Sequence, residues 1–126
     1  MKKRLFLAYI FCLIVYSFSF TKSDEREPFL GLWKAKCLNP QVQSFNITKH
    51  PKNKKMLVIT FGWYGNFTAK VNGEKFTIEE QSFSAASHIR ISGNGKLKGK
   101  ELTVYYESHS TQSGGGGSNL CDLKRY

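Results

Sequence analysis

From Phe29 to Tyr126 the chain alternates apolar and polar residues with a period of two, and no helical period lasts longer than a turn. Alternation of this kind marks strands with one face buried and the other in water. The first predicted strand covers Leu32–Leu38, with Trp33, Ala35 and Cys37 on one face and Lys34 and Lys36 on the other. Seven more follow: Gln43–Lys49, Lys55–Phe61, Asn66–Val71, Lys75–Glu80, His88–Leu97, Glu101–His109 and Asn119–Tyr126. Turn chemistry separates them. Asn72-Gly73 is the strongest hairpin signal, because both residues tolerate positive φ. Asn39-Pro40, His50-Pro51-Lys52-Asn53 and Lys98-Gly99-Lys100 are further turns. The third strand is apolar on both faces, so it is either covered on both sides or carries an exposed apolar patch. Gly93 and Gly95 predict a bulge or sharp bend in the sixth strand, as a barrel needs. Gln81–Ser87 reads as a looser stretch, and the glycines between Ser113 and Ser118 as a wide hairpin loop.

Eight short strands joined by short turns predict an all-β meander. An even number of antiparallel strands lets the last pair with the first and leaves no open edge, which gives an eight-stranded antiparallel up-and-down β-barrel. The cysteines bear on this closure. If Cys37 faces Cys121, the same register puts Ala35 opposite Leu123 and Trp33 opposite Arg125, all residues of inner faces. A diagonal cysteine pair would shift the register by two, and either geometry sets the first strand beside the eighth. Trp33 and Arg125 then form a structural couple, with the guanidinium plane on the indole face.

The start of the chain has a different character. Met1-Lys2-Lys3-Arg4 is cationic, and an apolar run extends from Leu5 to Phe20. The run is short for a membrane span, which needs about 20 apolar residues. It ends in Ser17-Phe18-Ser19, a signal-peptidase pattern. Residues 1–19 are therefore read as a signal peptide, 20–28 as a flexible polar leader, and 29–126 as the barrel domain. The alternative is an uncleaved anchor. Export leads to an oxidising compartment, where the pair Cys37 and Cys121 reads as a disulfide rather than two buried thiols. Closing a loop of about 85 residues stabilises a small domain by roughly 4 kcal/mol.

The chain has 19 basic and 9 acidic residues, net +10. Removing residues 1–19 takes three basic residues with it and leaves +7. Such a surface favours anionic partners. The lysines are scattered without a run of five, which fits a solvated outer face better than a nucleic-acid site.

Gly31-Leu32-Trp33 at the start of the first strand, with an arginine on the last strand facing that tryptophan, resembles the signature of the lipocalin (calycin-type) barrel. The order of strands and turns over residues 31–126 is similar to that of small exported bacterial lipocalin-like proteins. The Thr-Asp-Tyr type loop of lipocalins is missing, and the chain is shorter than typical members. The resemblance implies a non-enzymatic binding protein that holds a small hydrophobic ligand in or at the mouth of the barrel.

The candidate ligand residues are Phe45, Phe67, Phe76 and Tyr106 on inner faces, with Trp63 and Tyr64 in the loop Gly62–Gly65. An eight-stranded barrel is just wide enough to be filled by such side chains or to enclose one small molecule. The bulk of these residues favours a mostly filled core. Catalytic machinery is not expected. His50, His88 and His109 lie in separate segments, and no nucleophile-elbow pattern surrounds any serine. Glu79 and Glu80, as neighbours in a strand, are expected to point to opposite sides. No metal site and no cofactor are expected. The remaining alternative is a protein–protein interaction module or inhibitor acting in the cell envelope or outside the cell, as a monomer without a membrane span.

Overall fold

A computed structural model describes residues 24–40 and 42–126. The predicted signal peptide and residues 20–23 lie outside the described residues. Eight strands run in chain order: β1 (Gly31–Cys37), β2 (Ser44–Lys49), β3 (Met56–Thr60), β4 (Asn66–Asn72), β5 (Lys75–Phe83), β6 (Ala86–Lys98), β7 (Glu101–Ser110) and β8 (Gly116–Arg125). Each pairs antiparallel with its neighbour, and β8 returns to β1, so the sheet is a closed barrel. Closure satisfies both edges, which an open meander of this size would expose.

The closing register is Trp33↔Arg125, Ala35↔Leu123 and Cys37↔Cys121, the directly opposed arrangement. Cys37 and Cys121 form a disulfide across a separation of 84 residues. The inner face is a continuous apolar set. Trp33, Phe45, Ile47, Leu57, Ile59, Phe67, Phe76, Leu102 and Leu123 are all essentially inaccessible. On β3, Leu57 and Ile59 fill the interior while Met56 and Val58 are half-buried on the other face, which resolves its two-sided apolar character.

One end of the barrel is closed by residues that precede β1. The polar stretch read as a leader contributes a 3-10 helix, Glu27–Phe29, to this plug. Phe29 is fully buried and meets Phe76 edge to face at 5.6 Å. Arg26 is buried as well. Its Nη1 donates to the carbonyls of His50, Asn53 and Met56, and its other nitrogens hold Asp24. Polar composition here reflects this hydrogen bonding rather than solvation alone. Arg125 stacks on Trp33 with 4.3 Å from Cζ to the ring centroid. Its two terminal nitrogens donate to the carbonyls of Leu30 (2.6 Å) and Pro28 (2.7 Å). Trp33 Nε1 donates to Phe29 O at 2.9 Å. Gly31 adopts φ of 122°, and a Cβ there would come within 3.1 Å of the Arg125 guanidinium. Glycine therefore serves both the backbone conformation and the close approach of the arginine.

Four sequence expectations are corrected. Gln81–Ser87 is mostly strand: β5 continues to Phe83, and a tight turn at Ser84-Ala85 leads into β6, with an irregular register between Ser82 and Phe83. The β5–β6 pairing has two register shifts, one beside the Ile78↔Gly93 pair with its extra residue on β5, and one between Ser82 and Phe83. Between Ile78↔Gly93 and Gln81↔Ile91 the two glutamates Glu79 and Glu80 oppose Ser92 alone. The extra residue breaks the alternation, so both glutamates are exposed on the outside instead of on opposite sides. Gly95 instead makes room for an aromatic neighbour. It faces Phe76, and a Cβ there would overlap the Phe76 ring. Finally, the glycine run is not one wide loop. Gly116 and Gly117 belong to β8 and pair with His109 and Ser108.

Candidate functional site at the open end of the barrel

The two ends of the barrel differ because the inward residues of β7 and β8 change along each strand. On β7 the inward series is Leu102, Val104, Tyr106, and it continues as Ser108 and Ser110. On β8, read from the plugged end, it is Leu123, Cys121, Asn119, Gly117. Large apolar side chains fill the plugged end. Small and polar ones leave the other end hollow. The result is a cavity of about 790 Å³ at the end opposite Trp33.

Its floor is aromatic. Phe61 lies 5.4 Å from Tyr106 and 5.4 Å from Phe83, centroid to centroid, and Tyr64 lies 5.4 Å from Phe83. Ile89 and Val42 add apolar wall. The polar side is organised by Asn119, which is 5% exposed. Its Oδ1 accepts from Asn39 N (2.9 Å), and its Nδ2 donates to Asn39 O (3.1 Å) and to Tyr106 Oη (3.0 Å). The amide thus extends the β1–β8 pairing beyond the disulfide and fixes the Tyr106 hydroxyl. Burial raises the Tyr106 pKa above the ordinary tyrosine value; the hydrogen bond from Asn119 opposes this rise and Tyr64 adds to it. The phenol is therefore neutral at pH 7.

The candidate residues named from the sequence fall at different depths. Tyr106 and Tyr64 line the cavity. Phe45 and Phe67 lie one layer lower, in contact with Phe61 at 4.9 and 5.3 Å. Phe76 sits near the plugged end, against Phe29. Trp63 is in the 3-10 helix Gly62–Tyr64 at the cavity mouth, and its side chain lies outside what the structure describes. Sequence reasoning did not single out Phe61 and Phe83 as ligand contacts, nor Asn119, Ser108 and Gly117. The signal was present as the change from large to small residues along the inner faces of β7 and β8.

The histidines do not converge. His50 Nδ1 accepts the backbone N–H groups of Lys52 and Asn53 and shapes the turn at the plugged end. His109 Nε2 lies 3.8 Å from Glu80. Its ring thus reaches Glu80, and the residue borders the cavity together with Ser108 and Ser110. Among the described residues no group of three or more His, Cys, Asp or Glu side chains gathers as a metal site. Among them also, no helix is long and apolar enough to cross a membrane. The fold and cavity define a closed eight-stranded barrel with one plugged and one hollow end. No protein-family model matches the chain, and no curated protein matches it either.

Proposed function

We propose that this chain is an exported, non-enzymatic binding protein of lipocalin-like type, and that it holds a small hydrophobic molecule at the mouth of its barrel. The observation that carries this reading is the cavity of about 790 Å³ on the aromatic floor of Phe61, Phe83 and Tyr106. Volumes of roughly 300–1,000 Å³ with a few placed polar groups are those of small-molecule sites. Export is supported by the apolar run Leu5–Phe20 and by the Cys37–Cys121 disulfide.

The neutral fluorophore N-phenyl-1-naphthylamine tests the site. It binds the wild-type protein with enhanced emission. Gly117→Leu fills the cavity, since a Cβ at Gly117 meets nothing within 4 Å, and removes the signal without lowering the melting temperature. Native mass spectrometry of the purified chain reads any co-purified ligand. An unchanged signal in Gly117→Leu would refute the assignment.

A second reading rests on a separate observation. Leu38 and Leu120, joined by a 3.0 Å backbone hydrogen bond, are exposed side by side at the rim, at 82% and 41%. Exposed leucines at a rim suit a protein partner in the cell envelope or medium. Under this reading a Leu38→Asp, Leu120→Asp variant loses the partner in a pull-down and keeps the fluorophore.

A further inference from the structure

The cavity's polar chemistry narrows the ligand, on the reading that the cavity is a binding site. A tyrosine hydroxyl offers one donor and two acceptor lone pairs. At Tyr106 the oxygen accepts from Asn119 Nδ2. Both Nδ2 protons of Asn119 are committed, to Tyr106 Oη and to Asn39 O, and its Oδ1 accepts from Asn39 N. No acceptor for the Tyr106 proton is found among the described residues, yet the side chain is only 8% exposed and borders the cavity. The hydroxyl is thus a positioned donor at the edge of an aromatic floor.

Charge supplies an independent constraint. Among the described residues no lysine or arginine lines the cavity, and the imidazole of His109, which borders it, lies 3.8 Å from Glu80. A carboxylate placed there would lose its hydration without gaining a lysine or arginine partner, which is costly in an apolar site. A neutral oxygen acceptor needs a single donor, and the site provides one.

We propose that the cavity binds a neutral, flat, apolar molecule carrying an oxygen acceptor, such as a ketone or ester carbonyl, which receives the Tyr106 hydroxyl, and that it discriminates against carboxylates. The body of the ligand rests on Phe61 and Phe83, with Tyr64 at its outer edge. Tyr106 acts here as the specificity-determining residue.

Three matched probes test this with the purified protein: 2-acetylnaphthalene, 2-ethylnaphthalene and 2-naphthoate, each measured by calorimetry at pH 7. A neutral hydrogen bond has a net value of about 1 kcal/mol, which corresponds to about fivefold in affinity. Tyr106→Phe is therefore expected to weaken 2-acetylnaphthalene by about fivefold and to leave 2-ethylnaphthalene within about twofold. Wild type binds 2-naphthoate more weakly than either neutral probe. The carbonyl stretch of bound 2-acetylnaphthalene in wild type, shifted to lower frequency than in hexane, gives a readout that needs no variant. Equal losses for the two neutral probes in Tyr106→Phe, an unshifted carbonyl band, or tightest binding of 2-naphthoate would overturn the proposal while leaving a binding cavity. Failure of all three probes to bind the folded protein would overturn both the proposal and the ligand-binding reading beneath it.

Discussion

Replacing Arg125 with methionine should release the plug at the closed end. Arg125 makes two hydrogen bonds to main-chain carbonyls, at 2.6 and 2.7 Å, and stacks on Trp33 at 4.3 Å. Hydrogen bonds from a charged donor contribute about 1.5–3 kcal/mol each where solvent is excluded. Arg125 is exposed, so about 1 kcal/mol each is the appropriate scale here. Stacking adds about 0.5–1 kcal/mol at an exposed site. Methionine keeps the apolar stem and loses all three contacts, a cost of about 2–3 kcal/mol. Lysine keeps the charge and one donor but not the plane, a cost of about 1–2 kcal/mol. For a domain of this size each kcal/mol lowers the melting temperature by about 4–8 °C. Urea unfolding followed by circular dichroism measures the loss. Limited trypsin digestion measures the plug itself, because Arg26 is 6% exposed in the native protein and becomes a cleavage site once residues 24–30 detach. If Arg125→Met loses less than about 0.5 kcal/mol and cleavage after Arg26 does not accelerate, the guanidinium does not hold the plug, and the reasoning is wrong.

Four other outcomes are expected. The double substitution Cys37→Ser, Cys121→Ser should cost roughly 4 kcal/mol in urea unfolding, and a loss below about 1 kcal/mol would show that the link adds little to closure. Gly95→Ala places a methyl group against the Phe76 ring and should cost about 1–3 kcal/mol by the same assay; a neutral result would contradict the packing at that pair. The Asp24 carboxyl is held well below the ordinary carboxylate range, first by the Arg26 side chain, then by the Arg26 backbone N–H, with Lys49 also contributing. Its contribution is therefore complete above the unfolded value of about 4 and is lost as pH falls through the folded value, so Asp24→Asn should flatten the acid limb of the stability profile. Lys75 faces Lys96 directly on β5 and β6, so Lys75→Glu should stabilise by about 0.2–1 kcal/mol at low salt, with the gain shrinking as salt is added.

Much of the barrel was legible in the sequence because strand alternation and register are local rules. Once Cys37 is set opposite Cys121, Trp33 and Arg125 face each other by counting alone, and the structure has that register. The Asn72-Gly73 hairpin required no tertiary information, since φ of 62° at Gly73 is a property of the turn. Bulges were less legible. Placing the irregularity at Gly93 and Gly95 was reasonable from glycine content, yet the inserted residue falls at Glu79-Glu80, where nothing in the side chains announces it.

The candidate site divides in the same way. The aromatic inner faces were visible, and Tyr64 and Tyr106 do line the cavity. The depth of Phe45, Phe67 and Phe76 was not visible, because period two gives the face of a strand and not the height along the barrel axis. The burial of Arg26 was equally hidden. Its partners are the carbonyls of residues 50, 53 and 56, which only the folded chain brings to it.

By itself, then, the sequence determined the strands, the inward sets and the pairing of the two chain segments that carry the cysteines, because each follows from alternation and one covalent constraint. Tertiary structure alone decided which end is plugged, which is hollow, and that the Tyr106 hydroxyl stands at the cavity edge. Those features depend on residues from several strands and the segments that connect them meeting at one level of the barrel, and no spacing along a single strand encodes that meeting.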